Sequence, residues 1–407
     1  MESTIGLDDV EVLIVGTGLM GASLAQAFAQ NGLTVGLIGR RQEGLDKALA
    51  VIDRSLAEAE EKGLFNKSQA ESVRARIVPG LELETACRER NLRLVIESVS
   101  ESLTLKMELL SWLDEFCPAK VVLSTNTSCL DAEVLAAQIR RPDRFLWLHF
   151  FFPAHKIRAA EYSALSQTSE EAVGTAAECL EKARRTSVRL LRYRKGGTAN
   201  VIFVALVLEA VRQLEEGFGA EAVDEAARAA FAMPSGFISL LGTVGPRLAV
   251  SCLESFSEPA GGEHPFHRVY HNFFAPPEQL RARIEEARRS GVVVSLHDIT
   301  APNGALKPAD FLVVEFLKRR FLAVAFATAA EVVEAGLIRL EDLDRLCRAA
   351  FSWPAGPFAL MNAVGLGEAL RMVTEKMELS HRREINFPIP RILIEQAQKN
   401  EPWPVKG

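Results

Sequence analysis

Four polar residues have the types and order that proton transfer at a hydroxyl calls for. Ser128 lies in the loop-like stretch Ser124-Thr125-Asn126-Thr127-Ser128-Cys129-Leu130, and His149 closes a short apolar run ahead of Phe150-Phe151-Phe152-Pro153. Glu161 follows twelve residues after His149, and Asn200 opens a long helical pattern. Histidine titrates near neutrality, so it can take or return a hydroxyl proton while the neighbouring carbon loses or gains hydride. A carboxylate can hold the ring in one tautomer and balance its cation, and a serine hydroxyl and an amide can fix the reacting oxygen. Alone, a histidine at a strand end is usually structural, so the reading needs a hydride carrier.

The chain begins with a seat for one. Val12-Leu13-Ile14-Val15 reads as a buried strand and runs into Gly16-Thr17-Gly18-Leu19-Met20-Gly21, after which a helical pattern follows from Ala22 to Asn31. Strand, Gly-x-Gly-x-x-Gly and helix in that order suit a dinucleotide: the first glycine makes the turn, the second admits the pyrophosphate, and the third lets helix and strand pack closely. The N–H groups of the helix start then face the phosphates. Gly16, Gly18, Leu19, Met20 and Gly21 are therefore expected to line the coenzyme.

The end of the second strand, Thr34-Val35-Gly36-Leu37-Ile38, should lie beside the adenosine ribose. An NAD site normally offers Asp or Glu there. Here Gly39 is followed by Arg40 and Arg41. Arginine binds a phosphate bidentately whereas a carboxylate repels one, so NADP(H) is expected, with NAD(H) the second choice.

Short apolar runs at 12–15, 34–38, 94–97, 121–124, 145–149 and 187–191 alternate with helical patterns at 43–62, 105–116 and 170–184. Such alternation implies a parallel sheet with helices on both faces. From about Asn200 the pattern is helical, and it repeats. Ala229-Ala230-Phe231-Ala232-Met233-Pro234-Ser235-Gly236-Phe237 returns 120 residues later as Ala349-Ala350-Phe351-Ser352-Trp353-Pro354-Ala355-Gly356-Pro357, with Asp224/Asp344 and Gly245/Gly365 in register. The expected organisation is a Rossmann-type α/β domain over 1–192, a first helical domain over 193–290, and a second, degenerate helical repeat over 291–407.

Composition narrows the partners. The 407 residues carry a net charge of −6 with no basic tract, which argues against nucleic acid or an anionic membrane. No apolar run reaches the ~18 residues of a membrane helix. The six cysteines form no Cys-x-x-Cys pair, as expected of reduced thiols in a cytoplasmic protein. His264, His267 and His271 cluster in a Pro/Gly-rich stretch without accompanying carboxylates or cysteines, so no metal is expected.

Taken together, these motifs resemble the L-3-hydroxyacyl-CoA dehydrogenase family. The family's Ser-Asn-Thr-Ser, His-Phe-Phe-Asn-Pro and Leu-Val-Glu stretches match Thr125–Ser128, His149–Pro153 and Ala159–Glu161, with both intervals kept. The resemblance spans residues ~10 to ~256, and ~310 to ~377 looks like a second copy of the C-terminal domain. It implies that His149 is the base, Glu161 its orienting partner, and Ser128 and Asn200 the ligands of the substrate oxygen. Glu101 and Lys106 match positions on the nicotinamide side, and Ser55 and Lys62 match positions that touch CoA. It also implies a 3-hydroxyacyl thioester substrate converted to the 3-oxoacyl form.

Three departures bear on the substrate. Phe152 replaces the motif's asparagine on the substrate wall, Asn200 sits in a rewritten segment, and Glu58-Ala59-Glu60-Glu61-Lys62 replaces a lysine-rich run near the CoA phosphates. A free 3-hydroxy acid, a carrier-protein thioester and a non-catalytic nucleotide sensor stay open as alternatives. Position 320, which is 120 residues after Asn200, is Arg320, so the second copy is expected to pack rather than catalyse. The chain is expected to be a homodimer or a monomer with an internal pseudo-dimer.

Overall fold

The computed structural model describes residues 9–244, 272–290 and 310–405. The chain divides into two units, Met1–Lys195 and Gly196–Gly407.

In the first unit, apolar runs become the strands β1 (Val12–Val15), β2 (Val35–Ile38), β3 (Ile77–Gly80), β4 (Leu94–Glu97), β5 (Val122–Thr125), β6 (Phe145–Phe150), β7 (Ala159–Ala164) and β8 (Thr186–Arg189). They form one sheet in the order β3-β2-β1-β4-β5-β6-β7-β8. Its helices are α1 (Leu19–Ala29), α2 (Gln42–Glu61), α3 (Lys67–Ala75), α4 (Leu83–Cys87), α5 (Leu103–Phe116), α6 (Ala132–Ala136) and α7 (Glu170–Lys182). The residues of β1, β2, β4 and β5 are all buried, as strands covered on both faces must be.

Two strands escape the expected pattern. β3 carries Pro79 and Gly80, which read as a turn, and it tolerates them because it is the sheet edge, where a missing N–H breaks little. β7 is Ala-Ala-Glu-Tyr-Ser-Ala, with no β-branched residue to announce it. It pairs antiparallel with β6, so the sheet is mixed rather than wholly parallel.

The second unit is helical: α8 (Ala199–Glu215), α9 (Ala220–Phe231), α10 (Phe237–Val244), α11 (Glu278–Ser290), α12 (Phe311–Glu334), α13 (Leu340–Phe351), α14 (Pro357–Val364), α15 (Leu366–His381) and α16 (Arg391–Lys399). The repeat is structural as well as sequential. Asp224 Oδ1 accepts from Ile238 N at 2.8 Å at the start of α10, and Asp344 Oδ1 accepts from Phe358 N at 2.7 Å at the start of α14. Ala232 and Ser352, one after α9 and one after α13, both adopt left-handed backbone with φ 49° and 57°.

The copies exchange neighbours as two halves of a twofold dimer do: α12 packs on α9, and α8 packs on α13. Phe231 of the first copy stacks on Trp353 of the second at 4.2 Å. Both repeats thus share one unit, and the expected division at 290/291 falls where the described residues end. Arg320, at the position matching Asn200, donates through Nε to Glu209 at 2.7 Å and through its two terminal nitrogens to Glu216 at 2.6 and 2.7 Å. It staples α12 to α8.

Candidate active site

The glycine loop passes a steric test for a bound pyrophosphate. Gly16 has φ +131°, and a Cβ there would lie 2.3 Å from Ser98 O; a Cβ on Gly21 would lie 1.9 Å from Gly16 O. Strand, turn and helix are therefore as close as backbones allow. A Cβ on Gly18 would meet nothing within 4 Å, so this face is open to a ligand. The N-cap residue of α1, Gly18, makes no side-chain cap, which leaves the first N–H groups of the helix to the phosphates. Leu19 is 64% exposed beside them, and Met20 packs partly against the core.

The residues expected to do acid–base work meet where β6 pairs with β7. His149 on β6 and Glu161 on β7 are register partners in the antiparallel pair, so their side chains emerge on the same face. His149 Nδ1 lies 3.2 Å from Glu161 Oε1, and Nε2 lies 2.9 Å from Ser128 Oγ. Both His149 and Glu161 are buried. The imidazole is stacked on Trp147, two residues earlier on the same face of β6, at 5.4 Å and 9°, and meets Phe151, just past the end of the strand, edge-on at 4.9 Å. Trp147 Nε1 in turn donates to Thr127 O at 2.9 Å, tying the ring stack to the Ser128 loop. Asn126 Oδ1 accepts from Phe150 N at 2.9 Å and holds that loop to the end of β6. Burial pushes the Arg194 guanidinium down to about 10, opposed by the negative charge of Glu161.

A second charged cluster lies under the loop. Glu101 Oε1 accepts from Thr127 Oγ1, from Ser128 N at 3.1 Å and from Cys129 N at 3.0 Å. Lys106 is 1% exposed, with its ammonium 2.7 Å from Glu97 Oε1 and 3.2 Å from Glu101 Oε2. Lys106 therefore joins the buried Glu97 to Glu101, which stays partly exposed.

The remaining expected residues are dispersed. Arg40 and Arg41 are exposed after β2, Arg41 being the residue that precedes α2. Ser55 Oγ is bonded to Gln26 Nε2 at 3.1 Å and to His155 Nε2 at 3.1 Å, while Lys62 is exposed at the end of α2. Phe152 is 40% exposed just after β6. Asn200 is the second residue of α8, in the helical unit. Among the described residues no group of three or more His, Cys, Asp or Glu is placed to hold a metal ion; His264, His267 and His271 lie outside them. Trp147, Glu97 and His155 were not anticipated. Trp147 carried a signal, since a residue two before a strand histidine shares its face.

Comparison with known proteins identifies the family. The family description "3-hydroxyacyl-CoA dehydrogenase, NAD binding domain" matches residues 11–193. "3-hydroxyacyl-CoA dehydrogenase, C-terminal domain" matches 196–285 and again 316–401. The 3-hydroxybutyryl-CoA dehydrogenase of Clostridioides difficile is 28% identical over 237 residues, covering 58% of this chain and 83% of that protein. A probable 3-hydroxybutyryl-CoA dehydrogenase of Bacillus subtilis is 29% identical over 245 residues, covering 60% and 84%. In fold, the crystal structure of 3-hydroxybutyryl-CoA dehydrogenase from Escherichia coli K12 aligns with a TM-score of 0.76 at 21% identity, over 96% of this chain and 99% of that one. No helix among the described residues is long and apolar enough to cross a membrane. With its coenzyme-binding unit and two C-terminal domain copies, the chain belongs to the 3-hydroxyacyl-CoA dehydrogenase family, nicotinamide-dependent oxidoreductases that interconvert 3-hydroxyacyl-CoA and 3-oxoacyl-CoA.

Proposed function

We propose that this chain performs that reaction with His149 as its acid–base residue and with NADP(H) as its preferred coenzyme. The hydrogen-bonded series Ser128–His149–Glu161 carries the reading. With Glu161 Oε1 beside Nδ1 as an acceptor, we assign the ring proton to Nδ1, which leaves the Nε2 lone pair toward Ser128. Nε2 is then the atom that removes the proton from the substrate's 3-hydroxyl, and in the reverse direction it returns the proton to the 3-oxo oxygen. Glu161 faces the imidazolium formed in between. The Ser128 hydroxyl donates to the substrate oxygen. Bound nicotinamide supplies or accepts the hydride.

The coenzyme preference is supported by the end of β2. A Cβ on Gly39 would lie 2.7 Å from Thr17 Cγ2, so an acidic side chain at that position is opposed by Thr17. The charged groups on offer for the ribose are Arg40 and Arg41, which favour a 2′-phosphate. CoA is the carrier that Lys62 suits, and Ser55 would reach it by exchanging its present partners.

Initial rates with acetoacetyl-CoA, comparing NADPH and NADH at equal concentration, test both statements. Turnover that favours NADPH and disappears in His149→Gln is expected. Turnover that survives in His149→Gln removes that residue from the mechanism, and faster use of NADH removes the coenzyme assignment. Binding of NADPH without turnover would favour a free 3-hydroxy acid or another carrier.

The internal twofold packing of α8 and α9 with α12 and α13 supports a monomer, because the second repeat occupies the place a second subunit would take. A tight dimer in sedimentation, formed through residues 200–407, would overturn this.

A further inference from the structure

We propose that Glu101 is a positioning residue for the reaction: its carboxylate holds the 127–129 turn in the form that keeps the Ser128 hydroxyl on His149 Nε2. One oxygen of Glu101 gathers three successive donors of that turn, Thr127 Oγ1, Ser128 N at 3.1 Å and Cys129 N at 3.0 Å. Trp147 Nε1 holds Thr127 O from the other side, and Thr127 Oγ1, the hydroxyl that Glu101 orients, itself accepts from Leu130 N at 2.9 Å. Ser128 Oγ reaches His149 from the middle of this turn. Because Ser128 N and Cys129 N both point to Glu101, the Ser128 side chain is what these two residues present to a substrate oxygen.

The carboxylate is itself anchored from below. Its second oxygen is 3.2 Å from Lys106 Nζ, which also lies 2.7 Å from Glu97 Oε1. Glu97 is 0% exposed; it takes Val99 N at 2.7 Å through Oε1 and Thr125 Oγ1 at 2.7 Å through Oε2. The side chain therefore connects the C-terminal ends of β4 and β5 to the catalytic serine. Lys106 and Glu97 form the buried pair, and Glu101, partly exposed above them, adds its second oxygen to the same ammonium. A residue that merely lined the coenzyme would need none of these contacts to the turn.

The inference rests on the proposed roles of Ser128 and His149, and two measurements separate it from them. The first is a double-mutant cycle on kcat at saturating coenzyme, with coenzyme affinity measured separately by fluorescence titration. Glu101→Ala should lower kcat roughly tenfold or more, towards the loss expected from removing a Ser128 donor. In a Ser128→Ala background the same change should cost less than about twofold, the scatter within which independent sites add. Glu101→Gln, which keeps an acceptor for the turn but loses the charge facing Lys106, should recover part of the rate, and it carries the cycle if Glu101→Ala does not fold. The second measurement needs no turnover. The ring signal of His149 is followed by NMR in protein labelled with ¹³C-histidine and assigned with His149→Gln. Glu101→Ala should move it as Ser128→Ala does. Losses that multiply in the double variant, an effect confined to coenzyme affinity, or a His149 signal that ignores Glu101→Ala would each overturn the proposal.

Discussion

His149 and Glu161 stand directly opposite each other across the one antiparallel junction joining β6 to β7, with Nδ1 and Oε1 3.2 Å apart. The register fixes the pair before any side-chain torsion is chosen. A slip of one residue would send the glutamate to the other face of the sheet. The reversal of strand direction thus has a chemical consequence: it brings two residues twelve apart in sequence into contact at the sheet's catalytic end.

Loss of the proposed base is expected to be the most severe single change. His149→Gln should lower turnover by about 10²–10⁴, the range attributed to general acid–base catalysis. Glu161→Gln should keep the ring in place but weaken control of its tautomer, lowering kcat more than coenzyme affinity. Steady-state rates with acetoacetyl-CoA and a separate coenzyme titration would check both. An equal loss in coenzyme affinity would assign Glu161 a merely architectural role.

These residues were legible in the sequence because their types and intervals are unusual together, and the glycine loop because its spacing answers a steric demand. β7 was not, since Ala159-Ala160-Glu161-Tyr162-Ser163-Ala164 has neither alternation nor branched side chains. Its strand form comes from neighbours on both sides, β6 and β8. Propensity counts for little where tertiary pairing decides. Lys106 illustrates the same limit. Its charge suggests a surface ligand, while its burial against Glu97 and Glu101 is set by residues that only the fold assembles.

Coenzyme choice should follow Arg40 and Arg41. Replacing both with glutamine should raise the KM for NADPH by about 10- to 100-fold, the loss of one or two hydrogen bonds to a charged group, with little change for NADH. Gly39→Asp alone should fail to create good NADH binding, because the new Cβ meets Thr17 Cγ2 at 2.7 Å. Adding Thr17→Gly should relieve that contact. Equal KM changes for the two coenzymes would refute a 2′-phosphate role.

The duplicated turn after α9 and α13 makes matched predictions. A Cβ at Gly236 would lie 2.3 Å from Asp224 Cγ, and one at Gly356 the same 2.3 Å from Asp344 Cγ. Each aspartate caps the next helix through backbone N–H groups. Gly236→Ala and Gly356→Ala should each destabilise the helical unit by about 1–3 kcal/mol, the usual cost of overpacking. Denaturation midpoints in urea would show it. A neutral Gly356→Ala would mean that the second copy has room the first lacks.

A pH effect is expected at His155, which bridges α1 and α2 through Ser23 Oγ at 2.9 Å and Ser55 Oγ at 3.1 Å. Burial, then Lys156, pushes its pKa down to about 4; Glu58 opposes and Arg185 adds to the shift. The folded protein therefore binds fewer protons here than the unfolded chain. This contribution to stability is complete above pH 6.5 and is lost as pH falls through about 4. His155→Gln should flatten that part of the Tm profile relative to the unsubstituted protein. Parallel profiles would show that the ring titrates freely.

The ion cluster around Glu209 should govern the helical unit at lower pH. Burial alone would push this carboxyl up, yet Arg320, Lys376 and Arg212 hold it down at about 2. Its contribution is full above the ordinary value of 4.5 and is lost as pH falls through about 2. Glu209→Gln leaves the buried Arg320 and Lys376 facing a neutral group and should cost about 3–5 kcal/mol at neutral pH, as breaking buried pairs does. Replacing Glu209, Arg320 and Lys376 together with leucine or methionine should recover part of that loss, since Arg212, which is buried, and Glu216 each lose a partner that the apolar set does not replace. Urea denaturation of the single and triple variants decides. A triple variant weaker than Glu209→Gln would show that Arg320 stabilises the unit independently of Glu209, through Glu216.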